Sequence, residues 1–533
     1  MAEYFFRVDG TAATLGAAIG PATSAVNCGD KALLEASTFT AGDIVNIVTN
    51  GGSFTNVTLS GDKISGTSGT PIIIRGDSVY NTTSASEHIL QLAGNVTDIE
   101  HITLEDFWAE CTHVAANTTA SVQFFGDVGI ASNSSVTLSG CKSRNLGGDG
   151  FSQLSGGAGH INYIDCDAVD CGSGRSTTES NQGFTAHNSG HSATLTTTNV
   201  TGCNEAITFV GAATADWISG TISGSRGKCI KADSGGAVTL QSGVTLNCDI
   251  ATSRLLDIGD VTASINFNGT TVNITNHEST DSFARGVFTV VGGAWSVNAA
   301  NATIQAITAG TLEVSGITLD AINWSSLFRT DGNANCTANF KRNSVDFSSA
   351  TSSQPLIRML GSSTFEVDAN LFTEITSASD VIDVTAGATT TNMHIRHNTV
   401  YNAVSGGQFL DDDSGVNLSS NIFYNIADVD RGAVGATANY NCYFNSENLG
   451  GANSITTDPQ FTNPGSDFTL QLGSPCIAAG NPAVSVTTDH AGVSYLSPPS
   501  MGAFETTLGI KLSAVVRSVL QPVVSSVVNP LLD

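Results

Sequence analysis

An all-β fold, a single-stranded right-handed parallel β-helix, is the architecture this sequence predicts, on three observations. First, one phrase recurs inside Asn392–Asn445: His397-Asn398-Thr399-Val400-Tyr401-Asn402, Ser420-Asn421-Ile422-Phe423-Tyr424-Asn425 and Tyr440-Asn441-Cys442-Tyr443-Phe444-Asn445. The leading asparagines are 23 and 20 residues apart, and weaker copies at Asn343 and Asn370 continue backward at spacings of 27 and 28. A repeat of this length points to a solenoid. Second, the apolar runs alternate with period 2 and are rich in Val, Ile, Thr, Phe and Tyr, as in strands with one buried face. Third, Asn tolerates the left-handed backbone region at a tight bend. If every coil bends at the same place, the amides stack into a ladder. Three short strands per coil and roughly 16–18 coils, about 4.8 Å apart, are expected. A β-sandwich with chance Asn spacing is the competing fold.

Bulk composition narrows the function classes. A chain of 533 residues is long for one compact core, but a solenoid escapes that limit because each coil contacts only its neighbours. Net charge is −27 and only 13% of residues are charged, so a nucleic-acid partner is disfavoured; phosphate contacts need Lys and Arg. An acidic β-rich surface suits neutral glycans, divalent cations or a basic partner patch, and solubility alone accounts for it equally well. The 11 cysteines include no metal-type C-x-x-C. Cys141, Cys166, Cys203, Cys229 and Cys248 are spaced 25, 37, 26 and 19 apart, close to the coil period, and read as a stack of small buried hydrophobes. Disulfides are the alternative. Free thiols fit assembly in a reducing cytosol. Met1–Arg7 lacks a basic start with a long apolar core, and no run of 18 apolar residues predicts a membrane span. A cytosolic protein, or one released inside a virus particle by lysis, is expected.

Taken in order, residues 1–43 form an entrance cap with a short helix after Asp30, its N-cap. The parallel β-helix covers 44–445, closing coils cover 446–505, and an apolar tail covers 506–533. The opening coils are carried by Gly42-Asp43-Ile44-Val45-Asn46-Ile47, Val57-Thr58-Leu59 and Gly69-Thr70-Pro71-Ile72-Ile73-Ile74-Arg75-Gly76. This succession resembles the opening coils of the pectate-lyase-like superfamily, closest to its alginate- and chondroitin-lyase type. Near the other end stand Asp458-Pro459-Gln460-Phe461, Phe468-Thr469-Leu470, Gly473-Ser474-Pro475-Cys476-Ile477 and Gly502-Ala503-Phe504-Glu505. They resemble the closing motif of many bacterial and phage β-helix proteins. Secreted polysaccharide-active enzymes, surface adhesins and virion proteins share that motif, so it implies an architecture and leaves the activity open.

Candidate chemistry follows from residue types. Glu105, Asp106 and Glu110 surround Trp108, where an indole could stack on a sugar ring while carboxylates bind hydroxyls; Glu105, Asp106 and Trp108 are the candidate carbohydrate-binding residues. A bulky loop packed on the flank is the plainer interpretation. Asp411-Asp412-Asp413 reads as a solvated turn, although its oxygens suit Ca²⁺. Lys142 and Arg144, and Lys228 and Lys231, could share one face if their coils are in register, as a lyase base would require. His160, His187 and His191, and the pair His394 and His397, read as rim or turn residues without zinc spacing. No catalytic set, no resident metal and no cofactor is identified, so weak glycan binding without strong depolymerase activity is expected.

The functional expectation is a phage virion structural protein, tailspike-like or a capsid decoration, that binds host-surface polysaccharide. A polysaccharide lyase or glycoside hydrolase, and a bacterial surface adhesin, are the alternatives. In Leu508–Asp533, Val-rich pairs recur every four residues around Pro522, too broken to span a bilayer. An oligomerisation or docking segment is expected there, a homotrimer above other assemblies, with other virion proteins as partners.

Overall fold

The computed structural model describes residues 1–506 except 49–56, 77–78, 83–89, 94–100, 112–121, 126–134, 145–148, 154–158, 172–181, 188–189, 279–281, 332–335, 362, 377–379, 386–392, 404–406, 433–434 and 484; residues 507–533 also lie outside the described residues. Its strands run parallel from coil to coil in three stacks. Two stacks merge into one 30-stranded sheet, because the long strands Thr214–Ser223 and Ala237–Cys248 each pass through both. The remaining stack is a separate 15-stranded sheet. We call these the first, second and third sheets, in the order in which each coil visits them. The coil ending in Asn417–Ser419, Ile422–Tyr424 and Asp428–Asp430 shows that order. The third sheet has 15 strands among the described residues. Among the described residues, the coil that opens with Glu3–Phe6 and the one with Cys442–Phe444 add no strand to it.

Period-2 alternation does what the sequence implies. In Thr311–Ser315 and Thr337–Lys341 every second residue is buried, and one continuous apolar core fills the coil interior. Like residues stack on like along that core. Phe151 lies on Phe184 with ring centroids 4.8 Å apart, and Phe423 on Tyr443 at 5.4 Å. At the entrance, Asp30 caps the helix Lys31–Ala36 through its bond from the Leu33 N–H (2.8 Å). That helix sets Leu34 into the core, and Glu3–Phe6 pairs with Ile44–Ile47, so the cap region also supplies the first rung.

The asparagine ladder forms, with one correction to its geometry. The left-handed residues are those before each leading Asn: Arg342, Ala369, His397, Ser420 and Tyr440, with φ between 55° and 61°. The following Asn points inward and is fully buried at 343, 370, 398, 421 and 441. Its Oδ1 accepts from the backbone N–H and the Nδ2 of the Asn one coil earlier; for Asn398, from Asn370, both distances are 2.9 Å. Its Nδ2 also donates to a first-sheet carbonyl, Val367 in the case of Asn398 (2.8 Å). Asn is needed here because an amide can donate and accept at once, and each buried orphan it prevents would cost about 1–3 kcal/mol. The trailing asparagines Asn402, Asn425 and Asn445 do take the left-handed conformation.

Residues 446–505 extend the stack by one isolated parallel bridge, Ile455 to Cys442, and then leave the coil pattern. They form a two-stranded antiparallel hairpin, Phe461–Asn463 with Asp467–Leu470, over the outward rings of Tyr401 and Tyr424. The chain then returns as a strap along the ladder corner. Ala503 N–H donates to Thr399 Oγ1 (2.9 Å), Gly502 N–H to Ser420 O (2.7 Å), and His490 bonds Ala369 O (3.2 Å) and Ser344 Oγ (3.1 Å). The strap is closed by Glu505, which accepts from the Ser500 and Leu496 N–H groups. This explains why the closing motif needs its acidic end.

Candidate functional site

The predicted carbohydrate patch is contiguous. Strand Ile102–Glu105 ends the first-sheet run, Asp106 turns the corner at φ 58°, and Trp108 opens strand Trp108–Cys111. Much of its capacity is already engaged. Glu105 pairs with Arg75 (2.6 Å), and the Trp108 indole N–H donates to Gly140 O (3.2 Å). Lys142 Nζ sits 4.7 Å from the centre of the Trp108 ring, a cation–π contact on one indole face. Trp108 keeps 39% of its surface exposed and Asp106 is exposed.

The basic residues divide between two faces, which corrects the single face anticipated for them. Lys142 and Arg144 lie in the second sheet, in register with Trp108 and Glu110. Lys228 and Lys231 lie in the third sheet, in register with Glu205 and Thr208. The intervening corner turns the two pairs apart; the coil spacing alone carries no information about which side of the coil a residue occupies.

On the third sheet, neighbouring coils assemble a cluster that sequence reading found only through its lysines. Glu205 accepts from Thr208 Oγ1 (2.8 Å) and Gln182 Nε2 (3.2 Å), and pairs with Lys228 (3.4 Å). Lys228 also pairs with Asp257 (2.8 Å), so it bridges two carboxylates. Burial opposes its charge, but Glu205 and Asp257 outweigh that and raise its pKa. Lys231 stands between Thr208 and Asp257 in the register, with no ion pair among the described residues. Two positions beyond Thr185, His187 is held below the ordinary imidazole range, first by burial and then by the Lys231 charge, so it is neutral at pH 7. Its Nε2 contacts Thr185 Oγ1 at 3.0 Å. Asp149, whose carboxylate accepts from Gln182 N–H (2.9 Å), is pushed up to about 7 by burial, with the Glu205 charge adding to the rise. One face therefore holds a neutral imidazole close to an ammonium without an ion pair among the described residues, while Asp149 lies three coils before Lys231 in the register. Such a pair can hold an anion and accept a proton.

The other singled-out residues have structural employment. His160 bonds Ser192 (2.8 Å) and Asn162 (3.0 Å) on the first sheet, away from His187. His397 is buried in the ladder corner beneath Tyr495 and bonds Ser500 O (3.1 Å). Burial lowers its pKa to about 3. Asp412 accepts from the N–H groups of Ser414, Gly415 and Val416, which makes it a turn cap. Asp411 faces Arg431 at 3.5 Å. Among the described residues no three His, Cys, Asp or Glu side chains converge to hold a metal ion.

The fold is a parallel β-helix. No family model matches the chain, and no curated protein matches it. Solved structures do. A mannuronic-acid-specific family 6 polysaccharide lyase from human gut microbiota aligns at 12% identity and a TM-score of 0.36, over 77% of this chain and 87% of its own. A PL6-family alginate lyase aligns at 10% identity and a TM-score of 0.23, over 86% and 99%. A pectate lyase aligns at 12% identity and a TM-score of 0.20, over 95% and 97%. Likeness at this level transfers no activity.

Proposed function

We propose that the protein binds a carboxylate-bearing polysaccharide across the third-sheet face formed by His187, Glu205, Lys228, Lys231 and Asp257. The observation that carries this reading is Lys231, an ammonium without an ion pair among the described residues, beside a neutral imidazole, in a chain of net charge −27. A local unpaired cation on an acidic protein selects for an anionic group. Slow β-elimination is the chemistry this pair would permit: His187 takes the proton α to the sugar carboxylate, Lys231 balances that carboxylate, and the C–O bond to the leaving sugar breaks with its oxygen protonated by solvent. A glycan array with acidic and neutral polymers tests the binding. Lys231→Met is expected to weaken acidic-glycan binding about tenfold, some 1.4 kcal/mol. Equal binding by the variant would overturn the reading. Ultraviolet absorbance of an unsaturated product, lost in His187→Ala, would add the enzymatic step.

A second reading rests on the cysteines. The ten described ones are all buried and free. Free thiols fit folding in a reducing cytoplasm, and so a virion protein, tailspike-like or a capsid decoration, assembled there as a trimer and released by lysis. Light scattering on the full chain and on a chain ending at 507 tests the assembly: trimer and monomer are expected, and a monomeric full chain would sink it.

A further inference from the structure

We infer a second, separate sugar site, for an uncharged saccharide, in the trough between the outward face of the first sheet and the strap at 481–488. Two adjoining cavities occupy it, about 350 Å³ and about 110 Å³, and both are lined by Arg396 and Ser485. The floor of the larger one is two parallel rows, His394, Asn417 and Thr437 beside Arg396, Ser419 and Asn439. Successive members of a row are one rung apart, about 4.8 Å, which is comparable to the length of one pyranose ring. Asn481 and Ser485 of the strap face the floor. A sugar entering here meets amides and hydroxyls on both sides, the group types that fix orientation in a ligand site.

Charge decides the class of sugar. Arg396, which the larger cavity touches, has its charge paired: it binds Asp368 through two nitrogens (2.8 and 2.6 Å) and Glu366 through one of them (2.8 Å). Lys341 is bonded to Glu366 as well. Burial opposes ionisation of Glu366, but Lys341 and Arg396 outweigh it and hold its carboxyl below the ordinary range. His394 is held below its usual range by burial and then by the Arg396 charge, so it enters the trough neutral. The floor of the larger cavity thus presents no uncompensated charge; Arg342 lies only on the smaller cavity. An anionic ligand gains nothing there, whereas a neutral one loses no solvation of its own charge. This site stands independently of the third-sheet face, since the two share no residue.

The test uses the full chain and saturation-transfer NMR with neutral gluco-, manno-, galacto- and N-acetylglucosamine oligomers, with oligouronates as the charged comparison. At least one neutral series is expected to bind. Asn417→Ala and Thr437→Val, both at the surface, are each expected to weaken it tenfold or more while Lys231→Met leaves it unchanged. Circular dichroism checks that each variant is folded. Binding by none of the neutral series, binding that survives both trough substitutions, or preference of the trough for oligouronates would each overturn the inference. Loss of oligouronate binding in Lys231→Met, with neutral binding retained, separates this site from the third-sheet face.

Discussion

The corner between the first and second sheets is built in two ways along the same molecule. In the late coils Asn343, Asn370, Asn398, Asn421 and Asn441 donate to the carbonyls of Val314, Phe340, Val367, Ile395 and Leu418. In earlier coils the same row of carbonyls is met by other donors. Cys141 reaches Leu104 O (3.7 Å), Cys166 reaches Leu138 O (3.5 Å), Thr198 reaches Tyr163 O (3.4 Å) and Thr270 reaches Leu240 O (2.9 Å). Thiol, hydroxyl and amide solve one problem, a buried carbonyl at a tight corner. They differ in what else they do. The amide also accepts from the preceding coil, so each late coil is bonded to its neighbours by side chain as well as by strand. A thiol gives a weak donor and little more. The late coils should therefore be the more cooperative half, and hydrogen exchange, which resolves stability region by region, is the way to see it.

The largest expected effect comes from breaking the ladder. Asn398→Leu removes its side-chain bonds to Val367 O and Asn421 Oδ1, orphans the Asn370 N–H and takes one of the two acceptors of Asn370 Nδ2, which keeps Phe340 O. At about 1–3 kcal/mol per orphan, a loss of roughly 3–5 kcal/mol is expected across residues 367–421. Denaturant melting combined with exchange measures it, and a loss under 1 kcal/mol would mean the strands alone hold the corner.

Acid comes next, and it acts on the two halves in opposite directions. His397 has a folded pKa of about 3 against an ordinary 6.5. Its stabilisation is present above pH 6.5 and drains away, at about 1.4 kcal/mol per pH unit, as pH falls toward 3. Exchange in the strap and ladder is expected to quicken over that window, and His397→Phe should flatten the response. Asp149 is the converse, with a folded pKa of about 7 against 3.8. It favours the folded state below pH 3.8, and that contribution is lost as pH rises to 7. Asp149→Asn is expected to remove that decline between pH 3.8 and 7 around Gln182–His187. A late half insensitive to acid, or an early half insensitive to the Asn substitution, would erase the contrast.

The smallest effect sharpens the comparison. Cys166 is buried, and burial, with Cys141 beside it, pushes its thiol pKa well up, so it stays an S–H donor. Cys166→Ala loses a weak bond and a small volume, for about 1 kcal/mol. A penalty as large as that of Asn398→Leu would show that thiol and amide corners are equivalent.

Much of this was legible in the chain. The 20–28-residue spacing of the asparagines, the period-2 alternation and the closing motif predicted a parallel β-helix with a ladder, and the helix cap at Asp30 followed from its residues. These are local or strictly periodic signals, and a solenoid repeats local geometry, so the sequence reports it directly. Which residue takes the left-handed turn was misplaced by one position, because Asn suits both that conformation and the inward amide role. Tertiary structure alone decided the rest. Only the corner angle sends Lys142 and Lys228 to different sheets. Glu205 and Asp257 meet across Lys228 through coil stacking, although they are far apart in the chain. The strap's return along the ladder, which roofs the trough, depends on bonds such as His490 to Ala369, 121 residues apart. Coil period fixes how far apart residues lie along the axis. The face on which they meet is set by where each corner falls, and that is a property of packing.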